Sequence, residues 1–168
     1  MSQNAAIIRP HSVNVGSDAD IVCIVRNAPA QPLCGSMVFD NIIVGTNTAN
    51  ILSGTGGRDL ILGLDGIDMI YGLGGDDCLV GGNGPDLIYG GADDDVLVGG
   101  DGRDTLSGEG GSDTIHGGND ADTLYGGAGD DDLYGGENAA GSGDSFNGGT
   151  GTDLCRAAAT LPAGCESM

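Results

Sequence analysis

Between residues 59 and 131 an aspartate recurs at every ninth position: Asp59, Asp68, Asp77, Asp86, Asp95, Asp104, Asp113, Asp122 and Asp131. Carboxylates at a fixed interval supply hard, anionic oxygens. Such oxygens suit Ca2+, which gathers roughly six to eight of them in a flexible loop, better than Zn2+ or Cu2+. The competing chemistry is a carboxylate pair acting as acid and base, but repetition of one residue argues for repeated metal ligation. Asp153, and with it Asp144, extends the series past an interruption, whereas Asn50 stands where the preceding aspartate would fall. A site beside Asn50 is therefore expected to be weaker or missing. Other acids, among them Asp65, Asp76, Asp93, Asp94, Asp101, Asp120, Asp130 and Asp132, fall off this register and read as solvated turn surface. Asp93 and Asp120 each replace a glycine, where they could add a ligand or weaken the turn. No HExxH, GxSxG or CxxC occurs, and His11 and His116 are scattered, so neither a catalytic nor a zinc constellation is expected.

The element that must position the aspartates is a nine-residue unit. Cut from Gly54, units such as GTGGRDLIL, GLDGIDMIY and GGNGPDLIY run without a break to Tyr134. Position one is Gly, position six Asp, and position eight Ile or Leu: Ile61, Ile70, Leu79, Ile88, Leu97, Leu106, Ile115, Leu124 and Leu133. A degraded copy, GTNTANILS, precedes them, and GGENAAGSGDSFN follows as a unit with a four-residue insertion. Glycines in the first six positions permit tight turns and close backbone approach. The last three residues favour a very short strand, with position eight inward and positions seven and nine outward. Units eighteen apart then stack at about 4.8 Å, lining up their carboxylates. Each neighbouring pair repels by ~1 kcal/mol in water and ~3.5 kcal/mol at an effective dielectric near 20. The nine central units leave four gaps on one side and three on the other. Together these repulsions consume much of a typical folding stability of ~5–15 kcal/mol. Cations must fill the gaps, and about seven Ca2+ would bring the formal charge of -20 to about -6.

These units resemble the glycine- and aspartate-rich nonapeptide G-G-x-G-x-D-x-U-x of RTX (hemolysin-type) proteins. The likeness spans about two thirds of the chain, from Gly45 to Arg156. It implies an all-β, right-handed parallel β-roll with two nonapeptides per turn and calcium between successive turns. It places metal ligation on the position-six series and on Asp153. Three segments are expected: an N-terminal extension (1–44) that caps or assembles, the roll (45–156), and a C-terminal tail (157–168). Folding coupled to calcium binding is the further expectation.

Composition closes off other classes. All five basic residues are Arg among 25 acids, so a nucleic-acid partner is excluded. No apolar run reaches the ~18–20 residues of a membrane span. Residues 1–20 hold no apolar core flanked by basic residues, so no cleaved leader is expected. Upstream of the roll 44 residues leave little room for a catalytic domain, and an enzyme is not expected.

Outward positions are apolar in the first five central units: Leu60 and Leu62, Met69 and Tyr71, Cys78 and Val80, Leu87 and Tyr89, Val96 and Val98. They turn polar in the last four. Residues 1–44, with IVCIVR and MVFDNIIVG, could cover one such face but hardly both. Self-association into an oligomer, fibre or matrix layer is therefore expected. The alternatives are a calcium-dependent binding module for a polysaccharide or cell surface, with Tyr71, Tyr89 and Tyr125 in one outward column, or a fragment of a larger secreted RTX protein. Cys23 with Cys34, and Cys155 with Cys165, could each staple one end, leaving Cys78 as a free or intermolecular thiol. Disulfides, weak calcium sites and the resemblance all point to a secreted, extracellular protein of bacterial type.

Overall fold

The computed structural model describes residue 34, residues 37–136 and 143–156, residue 165, and the backbone of 6–8. The described residues form fourteen strands and no helix. Strands β2 (Asn41–Val44), β4 (Asp59–Asp65), β6 (Cys78–Asn83), β8 (Val96–Asp101), β10 (Thr114–Asn119), β12 (Asp132–Tyr134) and β14 (Leu154–Arg156) lie side by side in one sheet. In the other run β3 (Ile51–Ser53), β5 (Met69–Gly74), β7 (Leu87–Ala92), β9 (Thr105–Gly110), β11 (Thr123–Ala128) and β13 (Ser145–Thr150). All these pairings are parallel, and alternate units alternate between sheets. Only β1 (Ala6–Ile8) is antiparallel, against β2. The expected all-β parallel roll is thus the fold.

Register follows the repeat. Ile61 pairs with Leu79, Leu79 with Leu97 and Ile70 with Ile88, each one turn apart. Position eight of every unit points between the sheets and makes one continuous core, from Ile43 and Leu52 to Phe146 and Cys155. The insertion leaves this register intact, since Leu124 pairs with Phe146 and Leu133 with Cys155. Residues 137–142, within the unit that carries the four-residue insertion, lie outside the described residues.

Three features differ from the sequence reading. Strands are longer than three residues: from β5 to β11 each has six, running through positions one to three of the next unit, because backbone pairs such as Gly82 with Gly100 extend the ladder. Stacking also begins at Asn41, in the segment assigned to the N-terminal extension, with Asn41 opposite Asp59. Finally, Cys78 is bonded to Cys34, which corrects both the Cys23–Cys34 staple and the free Cys78. The reason is tertiary: β2 joins the stack and brings the chain before it onto the outer side of β6, 44 residues away in sequence. Cys155–Cys165 forms as expected. Cys23, His11 and the stretch IVCIVR lie outside the described residues, as does most of the C-terminal tail.

The outward faces part company. On the sheet containing β4, Leu60, Leu62, Cys78, Val80 and Val98 are buried in a second apolar cluster with Cys34, Phe39, Ile42 and Val44. Farther along that face His116 stacks on Tyr134 at 4.6 Å, with the Arg156 guanidinium over the same ring. On the other sheet Met69, Tyr71, Leu87 and Tyr89 remain partly exposed, and Ile51 is 77% exposed.

Candidate metal ladder

Every position-six aspartate from Asp59 to Asp131, and Asp153, is buried in the turn that joins the two sheets. A buried carboxylate needs partners for both oxygens. Oδ1 has one: it accepts the backbone N–H of the position-six residue one turn earlier, at 2.7–3.1 Å, from Asn50 onto Asp68 through Asp131 onto Asp153. Each aspartate thereby ties two turns together. Oδ2 is different. In Asp68, Asp77, Asp86, Asp95, Asp104, Asp113, Asp122 and Asp131 it is buried with no hydrogen-bond partner.

Eight orphaned carboxylate oxygens in two columns are the main finding at this site. Each lies against the position-one glycine of its own unit, and all but Asp122 do so beside a backbone carbonyl of the next turn: Asp77 Oδ2 and the Gly90 carbonyl flank Gly72, and Asp104 Oδ2 and the Gly117 carbonyl flank Gly99. A methyl group at Gly72 or Gly99 would fill this cradle. Position one is therefore glycine for space.

Burial makes ionisation of these groups costly. It pushes the carboxyls of Asp77, Asp104 and Asp122 up to about 7, Asp95 to about 8, and Asp86 and Asp113 to about 6; neighbouring carboxylates push the same way. Asp68 and Asp131 are raised as well, again by burial first. The backbone N–H bond opposes the rise in each case. A divalent cation at Oδ2 would supply the missing partner and cancel the repulsion. Among the described residues no three His, Cys, Asp or Glu side chains converge tightly enough to hold an ion alone. Backbone carbonyls must complete any ligand set, and a hard, oxygen-seeking ion such as Ca2+ accepts that mixture.

The predicted ligands fall into groups. Asp68 through Asp131 share the orphaned oxygen. Asp153 is buried and takes the Asp131 N–H at 3.1 Å, so the ladder continues past the insertion. Asp59 stands apart: Asn41 Nδ2 donates to its Oδ1 at 2.6 Å, and the Thr55 N–H and hydroxyl donate to its Oδ2 at 2.5 and 3.0 Å. The sequence reading missed Thr55 and Asn41; a threonine at position two, where later units carry Gly, Leu or Glu, was the available signal.

Off-register acids bind neighbouring turns at the surface. Asp65 accepts from Asn83, Asp101 from Asn119, Asp94 from the Ser112 N–H and Asp130 from the Thr152 N–H. Asp93 accepts the Gly75 N–H at 3.2 Å.

A family model, the RTX calcium-binding nonapeptide repeat in four copies, matches residues 39–70, 71–106 and 107–139, more than half of the chain. Neither the curated proteins nor the solved structures gave a match.

Proposed function

Because the chain belongs to the family of RTX calcium-binding nonapeptide repeats, we propose that it is an extracellular structural protein whose roll folds on binding calcium and then self-associates. The row of buried, unpartnered Oδ2 atoms carries this reading. A metal-free roll would hold eight partnerless oxygens of raised-pKa carboxylates, each costing on the order of 1–3 kcal/mol or more if charged. Calcium bound between turns at Asp68, Asp77, Asp86, Asp95, Asp104, Asp113, Asp122, Asp131 and Asp153 supplies the missing attraction, with Oδ2 and the turn carbonyls as ligands. About seven or more ions fit this series. Millimolar calcium and an oxidising milieu are extracellular conditions, and Cys34–Cys78 and Cys155–Cys165 suit the second.

Self-association rests on the outer face of the sheet containing β5. Tyr71 and Tyr89 stack on each other, 5.3 Å between centroids and 6° apart. Each ring spends one face on the other, which favours a packing ladder over a platform for sugars. This reading assigns the chain no catalytic task.

Circular dichroism during a calcium titration from chelator tests the coupling. Strand signal is expected to rise cooperatively with calcium, and a spectrum already complete in chelator would falsify it.

A further inference from the structure

The first two loops of the roll, 45–50 and 54–59, are built unlike those that follow. From Leu64 onward position two of each unit is left-handed: Leu64 at φ 82°, Leu73 at 84°, Gly82 at 117°, Glu109 at 76°, and the intervening glycines likewise. Position four is left-handed too, as at Gly66, Gly84, Asp93 and Asp120. In the first two loops none of Thr46, Thr48, Thr55 or Gly57 adopts this conformation. A β-branched threonine resists it.

Freed from it, the threonine turns inward. The Thr55 N–H and hydroxyl both reach Asp59 Oδ2, and the Thr46 N–H reaches Asn50 Oδ1 at 2.6 Å. Asn50 Nδ2 donates back to the Thr46 hydroxyl at 3.0 Å. Both loops are closed by protein groups at the oxygens that later loops leave bare. Charge changes at the same place. Asn41 opposes Asp59 and Asn50 opposes Asp68, so the first gap of each stack lacks carboxylate repulsion. The same end carries the second apolar cluster and the Cys34–Cys78 bond.

From these three observations we infer that the N-terminal end of the roll, residues 41–62 held to β6 by Cys34–Cys78, is a calcium-independent starter. The calcium ladder begins at the loop 63–68, and Asp59 is not an ion ligand. Turns then order from this end toward the C-terminus as calcium is added. The inference rests on the reading that the later loops need calcium.

Two measurements on the full, oxidised chain test it. In chelator, amides of residues 41–44 and 59–62 are expected to exchange with deuterium at least about ten-fold more slowly than those of 114–134. With sub-saturating calcium, protection spreads from the former. Uniform fast exchange in chelator, regained as protection in calcium, overturns the starter and leaves calcium-dependent folding standing. Uniform protection in chelator overturns both. Bound calcium per chain, counted by elemental analysis, gives the second readout. Asp59→Asn is expected to leave the count unchanged, whereas Asp95→Asn lowers it. A loss in Asp59→Asn equal to that in Asp95→Asn overturns the assignment.

Discussion

At the scale of single residues, each aspartate of the ladder divides its two oxygens between two tasks. Oδ1 bonds a backbone N–H of the preceding turn, so it aligns turns whether or not a cation is present. Oδ2 faces the turn interior with no protein donor. This division sets the pH response of the metal-free protein. Folding raises the carboxyls of Asp77, Asp86, Asp95, Asp104, Asp113 and Asp122 from an ordinary value near 3.8 to about 6–8, so the metal-free roll binds more protons than the unfolded chain. The resulting stability is complete below about pH 4 and is lost as pH rises through 6–8. In chelator, strand signal from the turns beyond the starter is therefore expected to grow on acidification, leaving only the starter's own contribution near pH 8. Calcium reverses the dependence, because protons compete with the ion for Oδ2. Circular dichroism against pH, with and without calcium, checks both signs; a flat profile in chelator would sink the account. The register of these aspartates was legible in the sequence. Their orphaned oxygens were not, because a hydrogen-bond deficit exists only once turns stack.

At the scale of the element, the turn imposes backbone conformations that the repeat only partly obeys. Leu73 sits at position two with φ 84° and is 54% exposed. An L-residue pays roughly 1–2 kcal/mol for the left-handed region, and an exposed leucine recovers little by packing. Leu73→Gly is therefore expected to stabilise the calcium-loaded roll by about 0.5–1 kcal/mol after the added chain entropy of glycine. Gly72→Ala, one residue earlier, must push Asp77 Oδ2 and the Gly90 carbonyl aside and should destabilise by at least ~1–3 kcal/mol. Denaturant unfolding in saturating calcium measures both, and matching signs for the pair would refute the distinction between strain and space. The sequence showed glycine at position one of every unit and at position two of many without separating the two reasons, since one letter answers to two physical constraints.

At the scale of the molecule, two sheets with similar repeats end in different surroundings. The N-terminal part of one outer face is buried in a cluster with Phe39 and Cys34, while the other face keeps Met69, Tyr71, Leu87 and Tyr89 partly open. Cross-strand aromatic and aliphatic columns of this kind usually meet a partner surface. In millimolar calcium, light scattering is expected to report a mass above that of one chain. Tyr89→Asp should lower it without loss of strand signal. A monomer under both conditions would leave the exposed face without the proposed role.

The sequence by itself, through its nine-residue spacing and the family resemblance that spacing carries, determined the roll, its two alternating stacks, the position-eight core and the carboxylate columns, because each is a local pattern repeated until it becomes geometry. Tertiary structure alone decided the rest: that Cys34 meets Cys78, that one face is covered and its counterpart open, and that Thr55 and Asn41 satisfy Asp59 while eight later aspartates stay unsatisfied. Those outcomes depend on which distant groups the stacking brings within hydrogen-bond or van der Waals reach, and a periodic sequence carries no record of such distances at its ends.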